Sequence, residues 1–203
     1  MQDFIFRIFD IVFSLLIIII LSPIIILFSL IIIYSNGFPI FFKHLRVGKN
    51  GKKFHIYKFR SMVKDAEEIL HKNKELYKKY VRSGYKINAN EDPRILPVGK
   101  FIRKTSIDEI PQFFNVLRGD MSIVGPRPVV ESEMYDLYKE NFQFYQSVKP
   151  GITGLWQVSG RSNLTGTSRA ALDIEGIKKK SIVYDFYIIL KTVKEVFKRT
   201  GAY

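Results

Sequence analysis

The 203-residue chain contains no cysteine and three histidines, His44, His55 and His71. The lack of cysteine excludes disulfides, thiolate-bound zinc, iron–sulfur clusters and a cysteine nucleophile. Three scattered histidines also argue against a Ser-His-Asp triad and against a histidine-rich metal site. Any chemistry of this chain must therefore rest on carboxylates, on lysine and arginine side chains, and on backbone groups.

Charge is also missing from one part of the chain, because no charged residue occurs between Asp10 and Lys43. Residues 11–34 are almost entirely aliphatic, and about 20 such residues suffice to cross the hydrocarbon of a membrane. The run is too long for a cleaved signal peptide and lacks a small-residue cleavage site. Residues 1–42 carry a net charge of −1, and residues 43–203 carry +14. We therefore predict a membrane segment over 1–42 and one compact domain over 43–203.

Ser22-Pro23 interrupts this apolar segment near its middle. Proline removes a backbone hydrogen bond and clashes with the preceding turn, and Ser22 can satisfy a carbonyl that is thereby released. The residues allow a kinked spanning helix or a re-entrant hairpin, since each half is only about 18 Å long and a membrane core is about 30 Å thick. Seven Lys/Arg among residues 43–60 place the domain in the cytoplasm in either arrangement.

The pattern of the remaining chain predicts an α+β fold that is mostly α. Two strand-like runs flank Asn50-Gly51, which is a strong hairpin signal. Apolar periodicity predicts the other elements. We expect helices over residues 64–81, 105–118 and 182–197, and a loop over residues 88–99.

Asp108 and Glu109 are the candidate catalytic residues. Ser106 and Glu109 fit a capping box, whereas Asp108 as N-cap would place Pro111 in the tolerated first turn. In either case two carboxylates lie at a helix N-terminus, where they could simply stabilise the helix dipole. The cations around them, Arg103 among these, favour chemistry instead. One carboxylate for attack, one for Mg²⁺ and several arginines are the parts of a phosphoryl-transfer site.

Three further cations are candidates for binding phosphate. Arg127 lies between two prolines, which either preset its guanidinium for phosphate or form only a rigid turn. Lys58 and Arg60 alternate along a presumed strand and therefore face the same side. Trp156, the only tryptophan, lies in a glycine-rich loop, either packed or as a contact to the membrane interface or a substrate.

Four motifs follow the interrupted apolar segment in a fixed order: KFRSM, DPRI, RKTSIDEIPQFFNVLRGDMSIVGPRP and KPGITGLWQVSGR. Together they resemble the bacterial sugar transferase family, the monotopic polyprenyl-phosphate phosphoglycosyl transferases, over nearly the whole chain. The resemblance implies transfer of a sugar 1-phosphate from a UDP-sugar to undecaprenyl phosphate, with release of UMP, at the start of surface-glycan synthesis. The last motif looks most like the galactose phosphotransferase branch, which favours galactose 1-phosphate.

The resemblance also implies roles for individual residues. Asp108 would be the nucleophile that forms a phosphosugar intermediate, and Glu109 would help to hold Mg²⁺. The family's Ser-Pro break matches Ser22-Pro23 and favours the re-entrant hairpin. The predicted substrate-binding residues are Lys58, Arg60, Arg103, Arg127, Gln157, Arg161 and Asp173.

The expected partners are a UDP-sugar, undecaprenyl phosphate and the inner leaflet of the bacterial cytoplasmic membrane, with no nucleic acid. A homodimer is a further possible assembly. Three alternatives to the main hypothesis remain: a membrane-tethered basic protein that binds nucleic acid or anionic lipid, a diacetylbacillosamine-type phosphosugar transferase, and a metal-dependent UDP-sugar hydrolase. Release of UMP, measured across several UDP-sugars with and without a lipid acceptor, separates them.

Overall fold

A computed structural model describes residues 2–82, 87–160 and 166–198 as a mostly helical α+β protein, which confirms the predicted class. The helices are α1 (Gln2–Asn36), α2 (Ala66–Lys72), α3 (Lys74–Arg82), α4 (Pro97–Lys104), α5 (Gln112–Arg118), α6 (Glu131–Tyr138), α7 (Phe142–Gln146), α8 (Leu155–Val158), α9 (Thr167–Lys178) and α10 (Ile182–Lys198). The strands are β1 (Phe41–Val47), β2 (Lys53–Phe59), β3 (Ser122–Val124) and β4 (Gly151–Thr153).

The apolar segment forms one helix, α1, that continues through Pro23. The hydroxyl of Ser22 donates to the carbonyl of Ile19 at 2.8 Å, a local bond of the kind that accompanies bent helices. Within the described residues, α1 is the one helix long and apolar enough to cross a membrane by length and composition. The predicted break is therefore a proline inside a continuous helix, and the re-entrant arrangement stays a prediction.

The predicted hairpin at Asn50-Gly51 is confirmed. Strands β1 and β2 pair antiparallel, with Phe42 opposite Lys58 and Arg46 opposite Phe54. Asn50 and Gly51 both have positive φ, 56° and 74°, which asparagine and glycine tolerate best. The turn residues thus fix the register that places Lys58.

Three other predicted elements can be compared with the structure. The helix expected over residues 64–81 is divided into α2 and α3, because the side-chain oxygen of Asn73 accepts a bond from the N–H of Leu76 and starts a second helix. The loop expected over 88–99 ends earlier, since α4 begins at Pro97. The amphipathic helix expected over 182–197 is confirmed as α10.

Strands β3 and β4 form a second, parallel pair whose backbones touch through glycines. A Cβ on Gly151 would lie 2.1 Å from the backbone nitrogen of Gly125, and a Cβ on Gly154 would lie 2.2 Å from the carbonyl oxygen of Gly125. No larger side chain fits at these positions without moving the backbone. This contact fixes the start of the segment that leads to Arg127.

The core of the domain continues into α1. Phe28 and Ile32 are buried in one cluster with Phe59 and Ile102. Near the other end of the helix, Phe9 and Phe13 pack against a second cluster, which contains Val116 and Ile123 of α5 and β3. Helix α1 is therefore packed on the domain at both ends, and the predicted boundary at residue 42 falls inside β1.

Candidate active site

The segment that carries the two carboxylates is a tight turn, so the predicted helix over residues 105–118 is wrong in its first half. Ser106 is left-handed, with φ 57°, and makes no capping bond, so the capping box does not form. Ile107–Glu109 form a 3₁₀ turn, referred to below as the carboxylate turn, and α5 begins only after Pro111. Packing of the partly buried Ile107 against the cluster of Ile102 and Phe59 outweighs the local capping preference.

Lys58 of β2 joins the two carboxylates. Its Nζ lies 2.7 Å from Oε1 of Glu109 and 3.5 Å from Oδ2 of Asp108. Asp108 is buried, with 8% of its surface exposed, whereas Glu109 and Lys58 are partly exposed. The arrangement presents a sheltered carboxylate beside a cation that a phosphate group can share.

The charge on Asp108 is set by opposing effects. Burial raises the pKa of this carboxyl above its usual range, Lys58 opposes the rise, and the neighbouring charge of Glu109 adds to it. Arg103 acts in the same direction as Lys58. Burial is therefore the largest influence on the pKa of Asp108, ahead of the neighbouring cations.

Asn115 ties α5 to β2 and thereby brings the carboxylate turn to Lys58. Its amide nitrogen donates to the carbonyl of His55 at 2.7 Å, and its side-chain oxygen accepts from the N–H of Tyr57 at 2.9 Å. The side chain is fully buried and acts as a piece of neighbouring strand on the edge of β2. Sequence reasoning overlooked this residue, since nothing local distinguishes it from a helix surface asparagine.

Arg103 and Arg60 are both close to the carboxylate turn in sequence or space but differ in their contacts. Arg103 donates through Nε to the hydroxyl of Ser61 at 2.8 Å and interacts electrostatically with Asp108. Arg60 is buried and donates to the backbone carbonyls of Asn36 and Gly37, at the end of α1. Arg60 therefore ties the end of α1 to β2, and the structure does not pair it with Asp108.

A second group of charges, the arginine cluster, surrounds Arg127 rather than Asp108. Trp156 has the guanidinium carbon of Arg127 at 5.6 Å and that of Arg169 at 4.9 Å from its ring centre, distances typical of cation–π contacts. The members of the cluster are Arg46, Arg127, Arg169, Glu133, Asp173, Tyr138 and Trp156. Sequence reasoning found Arg127, Asp173 and Trp156 but missed the others.

The arginine cluster has more cations than its carboxylates can satisfy. Glu133 accepts a bond from Arg169 and lies 3.8 Å from Arg46, and Asp173 accepts from Tyr138 at 2.7 Å. Within the described residues, Nε of Arg46 and two nitrogens of Arg169 are buried without a hydrogen-bond partner. Buried donors of this kind are costly unless a ligand completes them. The cluster is therefore suited to bind an anion.

Asp173 is the most deeply buried acid of this cluster. Burial raises its pKa to about 6, although the bond from Tyr138 and the charge of Arg169 oppose the rise. Its second oxygen has no hydrogen-bond partner in the part of the chain that the structure describes. Asp173 is thus placed to respond to changes in charge near Arg127.

The β-hairpin connects the two groups of charges. Lys58, His44 and Arg46 lie on the same face of the β1–β2 ladder. Lys58 is paired with Phe42, and His44 and Arg46 follow Phe42 on β1 by two and four residues, so their side chains point to the same side. At about 3.4 Å per residue, Lys58 and Arg46 are roughly 14 Å apart along this face. His44 lies between them, with its Nδ1 3.1 Å from Arg46. A single ligand could contact both ends only if its anionic groups lie a similar distance apart.

The donor set beside Lys58 fits a metal only if the substrate completes its coordination. No group of three or more His, Cys, Asp or Glu side chains suitable for a metal is found among the described residues. Mg²⁺ commonly takes one or two protein carboxylates together with substrate phosphate oxygens. Asp108 and Glu109 meet this lesser requirement, and a cage made only of protein ligands is not available there.

Two predicted site residues remain outside these groups. Gln157 is buried in α8, next to Trp156. Arg161 lies outside the described residues. Two further charged residues, Arg7 and Asp10 of α1, contact α5 and β3. Their position three residues apart beside an uncharged segment is the sequence signal that could have found them.

These side chains are suited to bind anionic groups such as phosphate. A family model described as Bacterial sugar transferase matches residues 1–199. The chain therefore belongs to the bacterial sugar transferase family and is a transferase.

Similar proteins agree with this assignment. The chain is 45% identical over 203 residues to an undecaprenyl-phosphate galactose phosphotransferase of Salmonella typhimurium, with 98% of this chain and 42% of the relative covered. It is 40% identical to the exopolysaccharide production protein ExoY of Sinorhizobium fredii, with 97% and 87% covered. It is 37% identical to a UDP-glucose:undecaprenyl-phosphate glucose-1-phosphate transferase of Escherichia coli, with 96% and 40% covered. The chain thus spans less than half the length of the Salmonella and Escherichia proteins.

Proposed function

We propose that the protein transfers a hexose 1-phosphate, with galactose 1-phosphate favoured, from a UDP-sugar to undecaprenyl phosphate. The observation that carries the proposal is the buried Asp108, held beside Lys58 and Arg103 in a domain packed on an apolar helix. The relatives named for undecaprenyl-phosphate galactose or glucose 1-phosphate transfer support both the donor and the acceptor.

The chemistry proceeds in two displacements on phosphorus. A carboxylate oxygen of Asp108 forms a bond to the β-phosphorus of the UDP-sugar, and the bond from that phosphorus to the bridging oxygen breaks, so that UMP leaves. A phosphate oxygen of undecaprenyl phosphate then attacks the same phosphorus and releases the Asp108 carboxylate. Lys58 and Arg103 stabilise negative charge that builds up on the phosphoryl oxygens in both steps.

Mg²⁺ is the proposed cofactor, with Glu109 as a protein ligand. When bound, the ion would supply positive charge to the phosphate oxygens of the donor. Lys58 contacts Glu109 in the structure, so this lysine exchanges its partner from carboxylate to phosphate when the donor binds. Chelation with EDTA should abolish turnover and Mg²⁺ should restore it, whereas turnover that resists EDTA would remove the metal from the proposal.

The site is placed at the cytoplasmic surface of the inner membrane in this proposal. Both substrates are anionic and one is embedded in lipid, which suits a domain with a charge of +14 on an apolar helix. The arginine cluster supplies a second position for an anion, about 14 Å along the hairpin face from Lys58.

The test is release of UMP by protein in membranes or detergent, measured for several UDP-sugars with and without undecaprenyl phosphate. Asp108→Asn should abolish both transfer and formation of a covalent phosphosugar adduct, because an amide oxygen is a poor nucleophile. Asp136→Asn on the exposed face of α6 is the matched control and should retain activity. Full activity of Asp108→Asn would refute the mechanism. The first displacement releases one UMP per protein molecule without an acceptor, so only continued turnover of UMP without an acceptor would indicate a hydrolase.

A further inference from the structure

Two charged residues of the membrane helix contact the domain directly. Asp10 is buried and Arg7 is partly buried, although the rest of α1 is largely apolar and exposed. Charged side chains in an apolar membrane segment are costly, and those that occur are usually paired and functional. Their partners in the domain therefore indicate what these two residues do.

Arg7 binds the end of the helix that follows the carboxylate turn. Its two terminal nitrogens donate to the carbonyls of Val116 and Leu117, each at 2.6 Å. These carbonyls belong to the last turn of α5, where the helix dipole is negative. The carbonyl of Val116 also accepts the N–H of Gly119 at 2.9 Å. A guanidinium reaches both at once, which a lysine ammonium does not do with the same geometry. Arg7 therefore fixes the far end of the segment that carries Asp108.

Asp10 binds the strand that leads to Arg127. Its Oδ1 accepts the N–H of Ile123 at 2.9 Å and the hydroxyl of Ser122 at 3.0 Å. Both residues belong to β3, which ends at Val124, three residues before Arg127. Asp10 therefore fixes the start of the segment that carries the arginine.

We propose that Arg7 and Asp10 are positioning residues that set the distance between the carboxylate turn and Arg127. They lie three residues apart on one face of α1, so one rigid helical turn holds both segments. On this proposal the membrane helix is part of the active-site scaffold as well as an anchor. The kinetic test of this proposal rests on the proposed function. A displacement of about 1 Å at a reacting group can lower the rate about a hundredfold.

The variants are chosen to separate positioning from general destabilisation. Asp10→Ala removes both bonds and should lower kcat/KM about tenfold or more. Asp10→Asn keeps the accepting oxygen and should retain most of the activity. Ser14→Ala is the matched control, because Ser14 is fully buried one turn further along α1 and makes no hydrogen bond among the described residues. An equal loss in Ser14→Ala would overturn the proposal.

A double-mutant cycle tests whether Asp10 acts through Arg127. The loss caused by Asp10→Ala should be smaller when Arg127→Lys is already present, because the group being positioned is then impaired. Purely additive losses would overturn the proposal. If Asp10→Ala does not accumulate in membranes, Arg7→Lys replaces it, because it should lose one of two carbonyl bonds while the helix stays charged. Wild-type kcat in Arg7→Lys would equally overturn it.

A binding measurement keeps this test independent of the reaction. Trp156 is the only tryptophan and its ring lies 5.6 Å from the guanidinium carbon of Arg127, so its fluorescence reports on that site. Titration of the detergent-solubilised protein with inorganic pyrophosphate should show about tenfold weaker binding for Asp10→Ala and near wild-type binding for Asp10→Asn and Ser14→Ala. Equal affinities for all four proteins would refute the positioning role. If the four proteins bind pyrophosphate as expected but the wild type transfers no sugar phosphate, only the proposed function is refuted.

Discussion

Lys58 favours the ionised form of the proposed nucleophile, Asp108, and this leads to a prediction at the scale of one residue. Burial raises the pKa of Asp108 and Lys58 opposes the rise, so Lys58→Met should raise the pKa of this carboxyl further. Because the ionised form attacks phosphorus, the acid limb of the kcat/KM profile should move to higher pH in the variant, with a lower plateau.

The pH profile of UMP release from about pH 5 to about pH 9 measures this effect, because a carboxyl of raised pKa titrates within this range. Lys53→Met is the matched control, since Lys53 lies on the same strand and pairs with Glu131 at the surface. An acid limb at the same pH in Lys58→Met and wild type would contradict the role assigned to Lys58.

Asp173 gives a second prediction at this scale, one of stability. Its pKa is about 6 in the folded protein, against the 3.8 that is usual for an exposed aspartate. The folded state therefore holds the proton more tightly, so this carboxyl contributes stability at low pH that is lost as the pH rises through about 6. The shift corresponds to about 3 kcal/mol in total. Asp173→Asn cannot titrate and should flatten this part of the pH dependence.

Thermal unfolding in detergent compares Asp173→Asn with wild type at several pH values from about 4 to about 7. This range covers the loss of the proton from Asp173 in the unfolded and in the folded protein. Asparagine keeps an oxygen that can accept the bond from Tyr138, so packing is preserved. Asp136→Asn, an exposed replacement, should leave the slope unchanged. An unchanged slope in Asp173→Asn would contradict the raised pKa.

At the scale of elements, the contact between α5 and β2 depends on Asn115. Asn115→Ala leaves the partly buried N–H of Tyr57 and carbonyl of His55 without this partner, which should lower the free energy of unfolding by about 1–3 kcal/mol. Transfer activity should fall as well, because α5 holds the carboxylate turn against Lys58. Urea unfolding and UMP release measure the two effects. Asn141→Ala, at an exposed helix start without a side-chain cap, should change neither, and equal losses in both variants would contradict the prediction.

Elements whose signals are local could be predicted from the sequence. The hairpin follows from Asn50 and Gly51, whose positive φ values the structure contains, and α10 follows from its apolar spacing. The helix expected over 105–118 failed because a distant contact decides it: Ile107 packs into a cluster with Phe28 and Ile32 of α1. Local patterns carry no information about such contacts.

The candidate site divides in the same way. Asp108, Glu109 and Arg127 stand in recognisable motifs, and their chemistry could be predicted from residue type and order. Their surroundings could not, because Tyr138 meets Asp173 across 35 residues and Arg7 meets Val116 across 109. The sequence also suggested one site, whereas the structure divides the predicted residues between the carboxylate turn and the arginine cluster.

At the scale of the whole molecule, the contacts of α1 lead to a prediction about membrane topology. Near its start, Asp3 lies 3.6 Å from Lys49 of the β1–β2 turn and Arg7 binds α5. Near its end, Phe28 and Ile32 pack on the domain. A helix that crossed the bilayer would carry its first residues about 30 Å away from a domain on the other side. We therefore expect both ends of α1 on the cytoplasmic side, with the helix bent near Pro23.

Single cysteines test this arrangement against a background without any cysteine. Asp3→Cys and Lys139→Cys should both react with a membrane-impermeant maleimide in inverted vesicles and stay unreacted in intact spheroplasts. Ile20→Cys, at an exposed position in the middle of α1, should react in neither because lipid shields it. If Asp3→Cys instead reacts from the outside, α1 spans the membrane. Arg7 and Asp10 could then not hold α5 and β3, so this result would remove both the hairpin and the scaffold role of the helix.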